Sequence, residues 1–351
     1  GLPDNEGAFI FRVDSRRASG TLRIMASSSR RATLDKATIA VIIPCFRETA
    51  HIADVIAAIG SEVSQIFVVD DACPDGTGEY VRKTCNDNRL QVIIHEHNTG
   101  VGGATMTGYR HAIDAGADII VKLDGDGQMD TSRISDLAAP ILKGEADYTK
   151  GNRFYNLDGV SQMPGLRIAG NLALSLASKL SSGYWNVFDP TNGFTAIHAN
   201  AAKRLAFDKI DKGFFFESDI LFHLYMLRAV VADVPMPARY GGEESSLKIR
   251  NVLLPFAAKH WRNTIRRILY TYFIRDFGIA AVELVLGKLL LLFGLVYGVL
   301  GWMESSRTGI PATAGTVFLA ALPVLLGSQM LIAFLNNDTK NVPRTVLHRR
   351  Q

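Results

Sequence analysis

Between residues 38 and 143 short apolar runs alternate with stretches of helical periodicity. The runs at 39–44 (IAVIIP), 65–70 (QIFVVD), 90–95 (LQVIIH) and 119–124 (IIVKLD) are continuous and rich in Val and Ile. That is the pattern of strands buried on both faces. The segments between and after them, 49–59, 78–85, 104–115 and 131–143, read as helices. Strand–helix alternation at this spacing predicts an α/β domain with a mostly parallel, Rossmann-like sheet covered on both faces. Ligands of such sheets bind beyond the carboxyl ends of the strands. The runs end on polar clusters at 44–48, 70–75, 95–103 and 124–128, which places one site there.

Beyond residue 150 the pattern becomes mixed, with a loop at 152–164 and helices expected at 166–181 and 217–228. The stretch 250–276 combines Arg250, Lys259, Arg262, Arg266, Arg267 and Arg275 with Trp261, Tyr270, Tyr272 and Phe273. A basic, aromatic, amphipathic stretch before an apolar span predicts interfacial helices, with an ordinary surface helix as the alternative. Segments 277–303 and 310–334 then exceed the ~20 apolar residues needed to cross a bilayer core. Two buried helices of a soluble protein are the competing reading. Glu283 and Lys288 fall early in the first span, where they would snorkel or face a neighbour. The link 304–309 is short, so the spans form a hairpin. Only Arg307 in that link is basic, whereas the tail carries Lys340, Arg344, Arg349 and Arg350. The bias puts the catalytic region and the tail on the cytoplasmic side of the cell inner membrane. The expected division is a basic arm (1–37), a catalytic domain (38–248), interfacial helices (249–276), a transmembrane hairpin (277–335) and a cytoplasmic tail (336–351).

Composition narrows the class. The chain has 351 residues and a formal net charge of +4, too mild to argue for a nucleic-acid partner. Cys45, Cys73 and Cys85 form no CxxC pair, which points to reduced thiols and away from zinc. The first 36 residues are rich in Arg and Ser and lack the apolar core of a secretory signal.

The chemistry concentrates at the strand ends. Asp124-Gly125-Asp126-Gly127-Gln128 sets two carboxylates one residue apart in a Gly-containing turn. Both can turn toward one hard divalent cation, with Gln128 adding a carbonyl oxygen or ordering a metal-bound water. Asp70 and Asp71 end another strand and suit hydrogen bonding to a nucleoside, while Asp75 suits capping the helix that follows. The turn 98–103 (NTGVGG) opens a helix with backbone N–H groups, including that of Gly102, fit for a phosphate or for close packing. His95 and His97 read as satisfied polar residues.

The series IIPCFRE, VVDDACPDGT, NTGVGGATMTGY, KLDGDGQMD, KGNRF and DPTNGF resembles glycosyltransferase family two. It is most like the polyprenyl-phosphate branch, which includes dolichol-phosphate mannose synthases and bacterial polyprenyl-phosphate glucosyltransferases. The resemblance covers 39–248 and implies a GT-A fold and an inverting transfer. It implies that Pro44, Phe46, Glu48, Asp70 or Asp71, and Gly102 hold the nucleotide. Asp124, Asp126 and Gln128 would bind Mg²⁺ or Mn²⁺ and the diphosphate. Arg153 and Arg167 would hold the acceptor phosphate, with Asn171 one turn beyond Arg167 on the same face. Asp189 and Thr191 fall in the loop near the reacting centre, and 240–248 resembles a lid in which Arg239 or Lys248 would supply a cation. Glu217 and Asp219 are the bases to consider for a hydroxyl acceptor; a place at a helix N-terminus would account for them equally. The implied partners are a nucleotide-diphosphate sugar (UDP-glucose-like first, GDP-mannose second), a polyprenyl phosphate and the lipid bilayer, and the juxtamembrane region offers a surface for a homo-oligomer. A processive synthase is disfavoured because no Q-x-x-R-W motif is present. The sequence also accommodates a transferase to a hydroxyl acceptor or a non-enzymatic membrane scaffold.

Overall fold

The computed structural model describes residues 37–155, 165–237 and 249–349. The basic arm, the lid segment 240–248, Arg239 and Lys248 lie outside them. The first half of the domain follows the alternation seen in the sequence. Strands β1 (Ile39–Cys45), β2 (Gln65–Asp70), β3 (Leu90–Ile94) and β4 (Ile119–Lys122) alternate with helices α1 (Ile52–Ala57), α2 (Thr77–Thr84) and α3 (Val101–Asp114), and α4 (Ile134–Leu142) follows β4. β1 lies parallel to both β2 and β4, with Val41 opposite Ile66 on one side and Val121 on the other. Ala40, Ile42, Phe67 and Ile120 face one core with Tyr109 of α3. The alternate residues Val41, Ile43, Val68 and Val121 are equally buried, so the sheet is covered on both faces.

The sheet is larger than the apolar runs indicate. Strands β5 (Tyr148–Asn152), β6 (Thr195–His198) and β7 (Val231–Pro235) extend it to seven strands in the order β3-β2-β1-β4-β6-β5-β7. β6 runs antiparallel to both β4 and β5. These strands read YTKGN, TAIH and VADVP, too short and too polar to stand out as apolar runs. Helix α5 (Gly165–Ser182) precedes β6, and α6 (Phe216–Met226) lies between β6 and β7.

Helix α7 (Ile249–Leu269) is inside out for a protein in water. Its buried face carries His260, Asn263 and Arg267, while Leu254, Trp261 and Leu269 are exposed, Leu254 by 79% and Trp261 by 68%. Asn263 Nδ2 donates to Asp219 Oδ1 at 2.6 Å, and His260 Nδ1 lies 2.8 Å from Ser181 Oγ of α5. Arg267, expected among the interfacial cations, is fully buried, because its guanidinium meets Asp338.

After a π-helical turn (Tyr270–Arg275), helices α8 (Ile279–Thr308) and α9 (Ala314–Lys340) form an antiparallel pair, each long and apolar enough to cross a membrane. The link is displaced from the predicted 304–309. α8 continues to Thr308, with Arg307 paired to Glu304 one turn back, and ends at Gly309 with φ of 68°. Thr313 then caps α9 by accepting from Thr316 N at 3.2 Å. α9 also runs past residue 334 to Lys340, since Asp338 is satisfied there and does not need water.

The C-terminal tail folds back on the sheet. Asn341 O accepts from Tyr225 Oη and Arg228 Nη1. Leu347 N and His348 N both donate to Asp147, whose carboxylate is fully buried. The His348 ring bonds Asp147 Oδ1 at 2.7 Å and stacks on His198 with centroids 4.1 Å apart. Burial and the neighbouring His348 pull the His198 pKa down to about 4, outweighing Asp118 and Asp147, while Lys203 adds to the depression. The folded chain therefore resists a proton that the unfolded chain takes up near the ordinary 6.5. This contribution to stability is complete above that value and is lost as pH falls toward 4. Thermal unfolding of the detergent-solubilised protein should thus lose more stability between about pH 7 and pH 5 than the His198→Gln variant does. Parallel pH profiles for the two proteins would contradict it.

Candidate active site

A cavity of about 220 Å³ opens at the carboxyl ends of β4 and β5, lined among others by Asp124, Asp126, Gln128, Arg153, Thr191 and Gly193. Its floor is a buried charge network. Lys122, the last residue of β4, is 1% exposed, yet its ammonium reaches Asp124 Oδ1 at 2.7 Å, Glu217 Oε1 at 3.0 Å and the Gly193 carbonyl at 3.3 Å. Glu217 Oε2 lies 3.6 Å from the ammonium of Lys150, which is fully buried in β5 and donates to the Asn192 carbonyl. Burial alone would drive the proton off Lys122, but Asp124 and Glu217 outweigh it and hold that proton more firmly than in water. At Lys150 burial wins over Glu217 and Asp189, and its pKa is lowered.

Gly193 is the residue that lets this network close. A Cβ there would run into the Asp124 carboxylate and come within 2.7 Å of Lys122 Nζ. Asp126 Oδ1 accepts from Gln128 N at 2.9 Å, which folds the acidic turn over the cavity. The donor set suits a hard cation: two carboxylates and an amide oxygen on one wall. Among the described residues no cluster of three His, Cys, Asp or Glu side chains is built to hold a metal by itself. A cation bound here would complete its shell with phosphate oxygens and water, as Mg²⁺ ordinarily does.

Arg153, just after β5, also lines the cavity and meets Asp189 in a two-point pair, Nε to Oδ2 at 2.8 Å and Nη2 to Oδ1 at 3.0 Å. Thr191 Oγ1 accepts a longer bond from Arg153 Nη2 at 3.4 Å. Asn192 ties this loop to β5 by donating from Nδ2 to the Gly151 carbonyl at 2.8 Å. Asn171 is half-buried in α5, and Arg167 falls in the first turn of that helix, its side chain outside the described residues.

The remaining nucleotide residues divide. Pro44 is in β1 beside Val69, Phe46 is 41% exposed just past the strand, and half-buried Glu48 lies against Gly125, whose added Cβ would sit 3.3 Å from Glu48 Cβ. Asp70 and Asp71 instead order the backbone. Asp70 accepts from Cys73 N at 2.7 Å and Gly78 N at 2.5 Å, so it satisfies the first turn of α2, a task expected of Asp75. Asp75 makes no cap bond and lies 4.0 Å from Arg47. Asp71 gathers His95 Nδ1, Thr99 N and Oγ1, and Gly100 N at 2.7–2.8 Å. Gly102 donates its N–H to the Lys212 carbonyl at 2.8 Å, and an added Cβ would strike the Asp211 carbonyl. The Gly-rich turn thus packs against the chain's own loop, and its Gly102 N–H does not face a phosphate. Asp219, weighed as a base, is bonded by Asp211 N and Asn263.

Sequence reasoning gave Lys122 and Lys150 no role, and placed Asn192 only within the 189–193 loop near the reacting centre. The available signal was a lysine inside an otherwise apolar run (IIVKL) and a second one within a short strand (YTKGN), each needing a buried partner.

A mostly parallel sheet of this order, with paired carboxylates at the central strand's end, defines a GT-A-like α/β fold. It is similar to glucosyl-3-phosphoglycerate synthase from Mycobacterium tuberculosis in complex with Mn²⁺, UDP and glucosyl-3-phosphoglycerate. The TM-score is 0.52 at 20% identity, covering 68% of this chain and 82% of that one. Residues 40–206 match Glycosyl transferase family 2. The UDP-N-acetylglucosamine–dolichyl-phosphate N-acetylglucosaminyltransferase of Methanococcus voltae is 31% identical over 230 residues, 62% of this chain and 91% of the relative. An undecaprenyl-phosphate mannosyltransferase of Micrococcus luteus is 29% identical over 199 residues, 56% of this chain and 81% of the relative. The chain belongs to glycosyl transferase family 2 and is a glycosyltransferase.

Lys122→Met should leave Asp124 and Glu217 without their shared cation. A loss of about 3 kcal/mol in unfolding free energy is expected. Glu217→Gln combined with it should add less than the sum of the single changes. Strict additivity in denaturant titrations would show that the network is not a unit.

Proposed function

We propose that this enzyme transfers a hexose from a UDP-sugar to a polyprenyl phosphate, with inversion, at the cytoplasmic face of the inner membrane. The observation that carries the reading is that Asp124, Asp126 and Gln128 line one cavity together with Arg153. That pairing suits a nucleoside diphosphate on one side and an anionic acceptor on the other. The named activities of the Methanococcus and Micrococcus relatives, both acting on polyprenyl-type phosphates, support the acceptor class. The UDP in the structural relative and in the name of the Methanococcus enzyme supports the donor base.

Asp124, Asp126 and Gln128 would hold a Mg²⁺ or Mn²⁺ ion, which when bound would supply Lewis-acid stabilisation of negative charge on a diphosphate leaving group. Pro44, Phe46 and Glu48, at and just past the end of β1 and outside the residues that line the cavity, are assigned to the nucleoside, with Asp70, Asp71 and Gly102 shaping the neighbouring loops. Asp189 aims the Arg153 fork into the cavity. Arg153, Arg167, Asn171 and Thr191 then orient the acceptor phosphate for attack from the face opposite the leaving group. A phosphate monoester, with a second pKa of about 6, is already an anion at neutral pH and needs no base. Consistent with that, Glu217 is ion-paired to two lysines and Asp189 to Arg153.

Membrane attachment follows from α7, α8 and α9. The exposed leucines and Trp261 of α7 lie on a bilayer surface with Arg262 and Arg266 among the headgroups. α8 and α9 cross the bilayer and return.

Purified enzyme should convert polyprenyl phosphate with Mn²⁺ and UDP-glucose or UDP-N-acetylglucosamine in preference to GDP-mannose, read as glycolipid by mass spectrometry; preference for GDP-mannose would overturn the donor assignment. Asp126→Ala should reduce turnover by about a thousandfold. Arg167→Ala should raise the acceptor KM by roughly tenfold to a hundredfold and leave donor affinity nearly unchanged. Transfer to a hydroxyl acceptor in preference to the phosphate would overturn the reading.

A further inference from the structure

Asp338 stands in the last turn of α9, fully enclosed, at the end of a helix otherwise made to lie in lipid. A carboxylate in that position persists only if every lone pair is answered. Arg267 Nη1 meets Oδ1 at 2.6 Å and Nη2 meets Oδ2 at 2.9 Å. Tyr272 Oη donates to Oδ1 at 2.7 Å, and Trp185 Nε1 to Oδ2 at 2.9 Å.

The donors come from parts of the chain with different tasks. Arg267 is on α7 and also gives its Nε–H to the Leu180 carbonyl of α5 at 3.1 Å. Tyr272 is in the turn that leads to α8, and its ring packs edge-on against Phe334 of α9 with centroids 5.1 Å apart. Trp185 sits in the segment between α5 and Asp189, and its own carbonyl is held by Lys179 Nζ at 2.7 Å. The knot therefore grips α5, whose first turn holds Arg167, and the segment that ends in Asp189, the carboxylate that aims Arg153.

We propose that Asp338, Arg267, Tyr272 and Trp185 are positioning residues that hold the acceptor side of the site in register with the base of the helix pair. This inference rests on the polyprenyl-phosphate reading given above. An acceptor anchored in the bilayer presents its phosphate at a fixed height, so a site free to tilt against the helices loses alignment with it. A short acceptor that diffuses in from water makes no such demand, and neither does the nucleotide.

The test uses full-length wild type, Asp338→Asn and Trp185→Phe chains in phospholipid nanodiscs, with a long-chain polyprenyl phosphate and a short, water-soluble prenyl phosphate. Both variants should raise the KM of the long-chain acceptor by about tenfold or more, while the short acceptor's KM and donor binding stay within about twofold. Equal losses on the two acceptors would reduce the knot to ordinary stability and overturn the proposal, as would no change on either. Should Asp338→Asn fail to fold, Trp185→Phe decides alone, because it keeps the Arg267–Asp338 pair and removes one N–H. A wild type that transfers to neither acceptor instead removes the functional reading itself.

Discussion

The site depends on one buried ammonium. Lys122 sits where β4 ends, and its three partners belong to the acidic turn, to α6 and to the loop before β6. Through Glu217 the same charge is tied to Lys150 and from there to Asn192. Two lysines and two carboxylates balance, so the buried group carries no large net charge. Removing any one of the four leaves an uncompensated ion in a low-dielectric interior. An apolar plug of the same volume would fill that space but would tolerate several registers of the surrounding loops. Directional ion pairs tolerate one, and so Asp124 faces the cavity from a fixed place.

The same device recurs wherever distant segments must meet. Asp71 fixes the 95–100 loop, Asp189 fixes Arg153, Asp147 fixes the tail, and Asp338 fixes the helix pair. Each is an almost fully buried carboxylate receiving N–H or O–H groups from residues far away in sequence or across a loop. These bonds are short and charge-assisted, and they answer most of the acceptor capacity of each group. Asp124 and Asp126 differ from these in lining the cavity, where both stay partly exposed.

That single difference explains what the sequence could and could not tell. The parallel strands were legible because burial on both faces demands unbroken Val and Ile, as in IAVIIP and QIFVVD. β5 was not, because it carries Lys150 and Asn152, whose side-chain N–H groups donate to Asn192 and Asp233, far away in the chain. The acidic turn was legible, since DGDGQ supplies oxygen donors whatever surrounds it. Asp70 and Asp71 looked equally suited to a nucleoside, because a carboxylate at a strand end is required both for ligand binding and for loop closure. Only coordinates distinguish them. In α7 the amphipathic pattern was visible, but sequence periodicity does not say which face is inside, and here it is the polar one.

The inverted helix and the docked tail together constrain how the chain meets a bilayer. A helix that buries His260, Asn263 and Arg267 and exposes Leu254, Trp261 and Leu269 beside Arg262 and Arg266 presents the mixed apolar and cationic outer face that suits a bilayer surface. At about 1.5 Å per residue, α8 and α9 are each longer than the ~30 Å hydrocarbon core. α8 leaves from the turn after α7, and α9 returns to Asn341, which is bonded to Tyr225 and Arg228 of the catalytic domain. A chain that departs from one body and returns to it crosses an even number of times. On the membrane-spanning reading proposed above, the turn at 309–313 lies on the far side, and the basic tail lies with the α/β domain by connectivity, independent of its charge. Charge bias and connectivity are separate physical arguments, and on that reading both put the tail on the same side as the α/β domain.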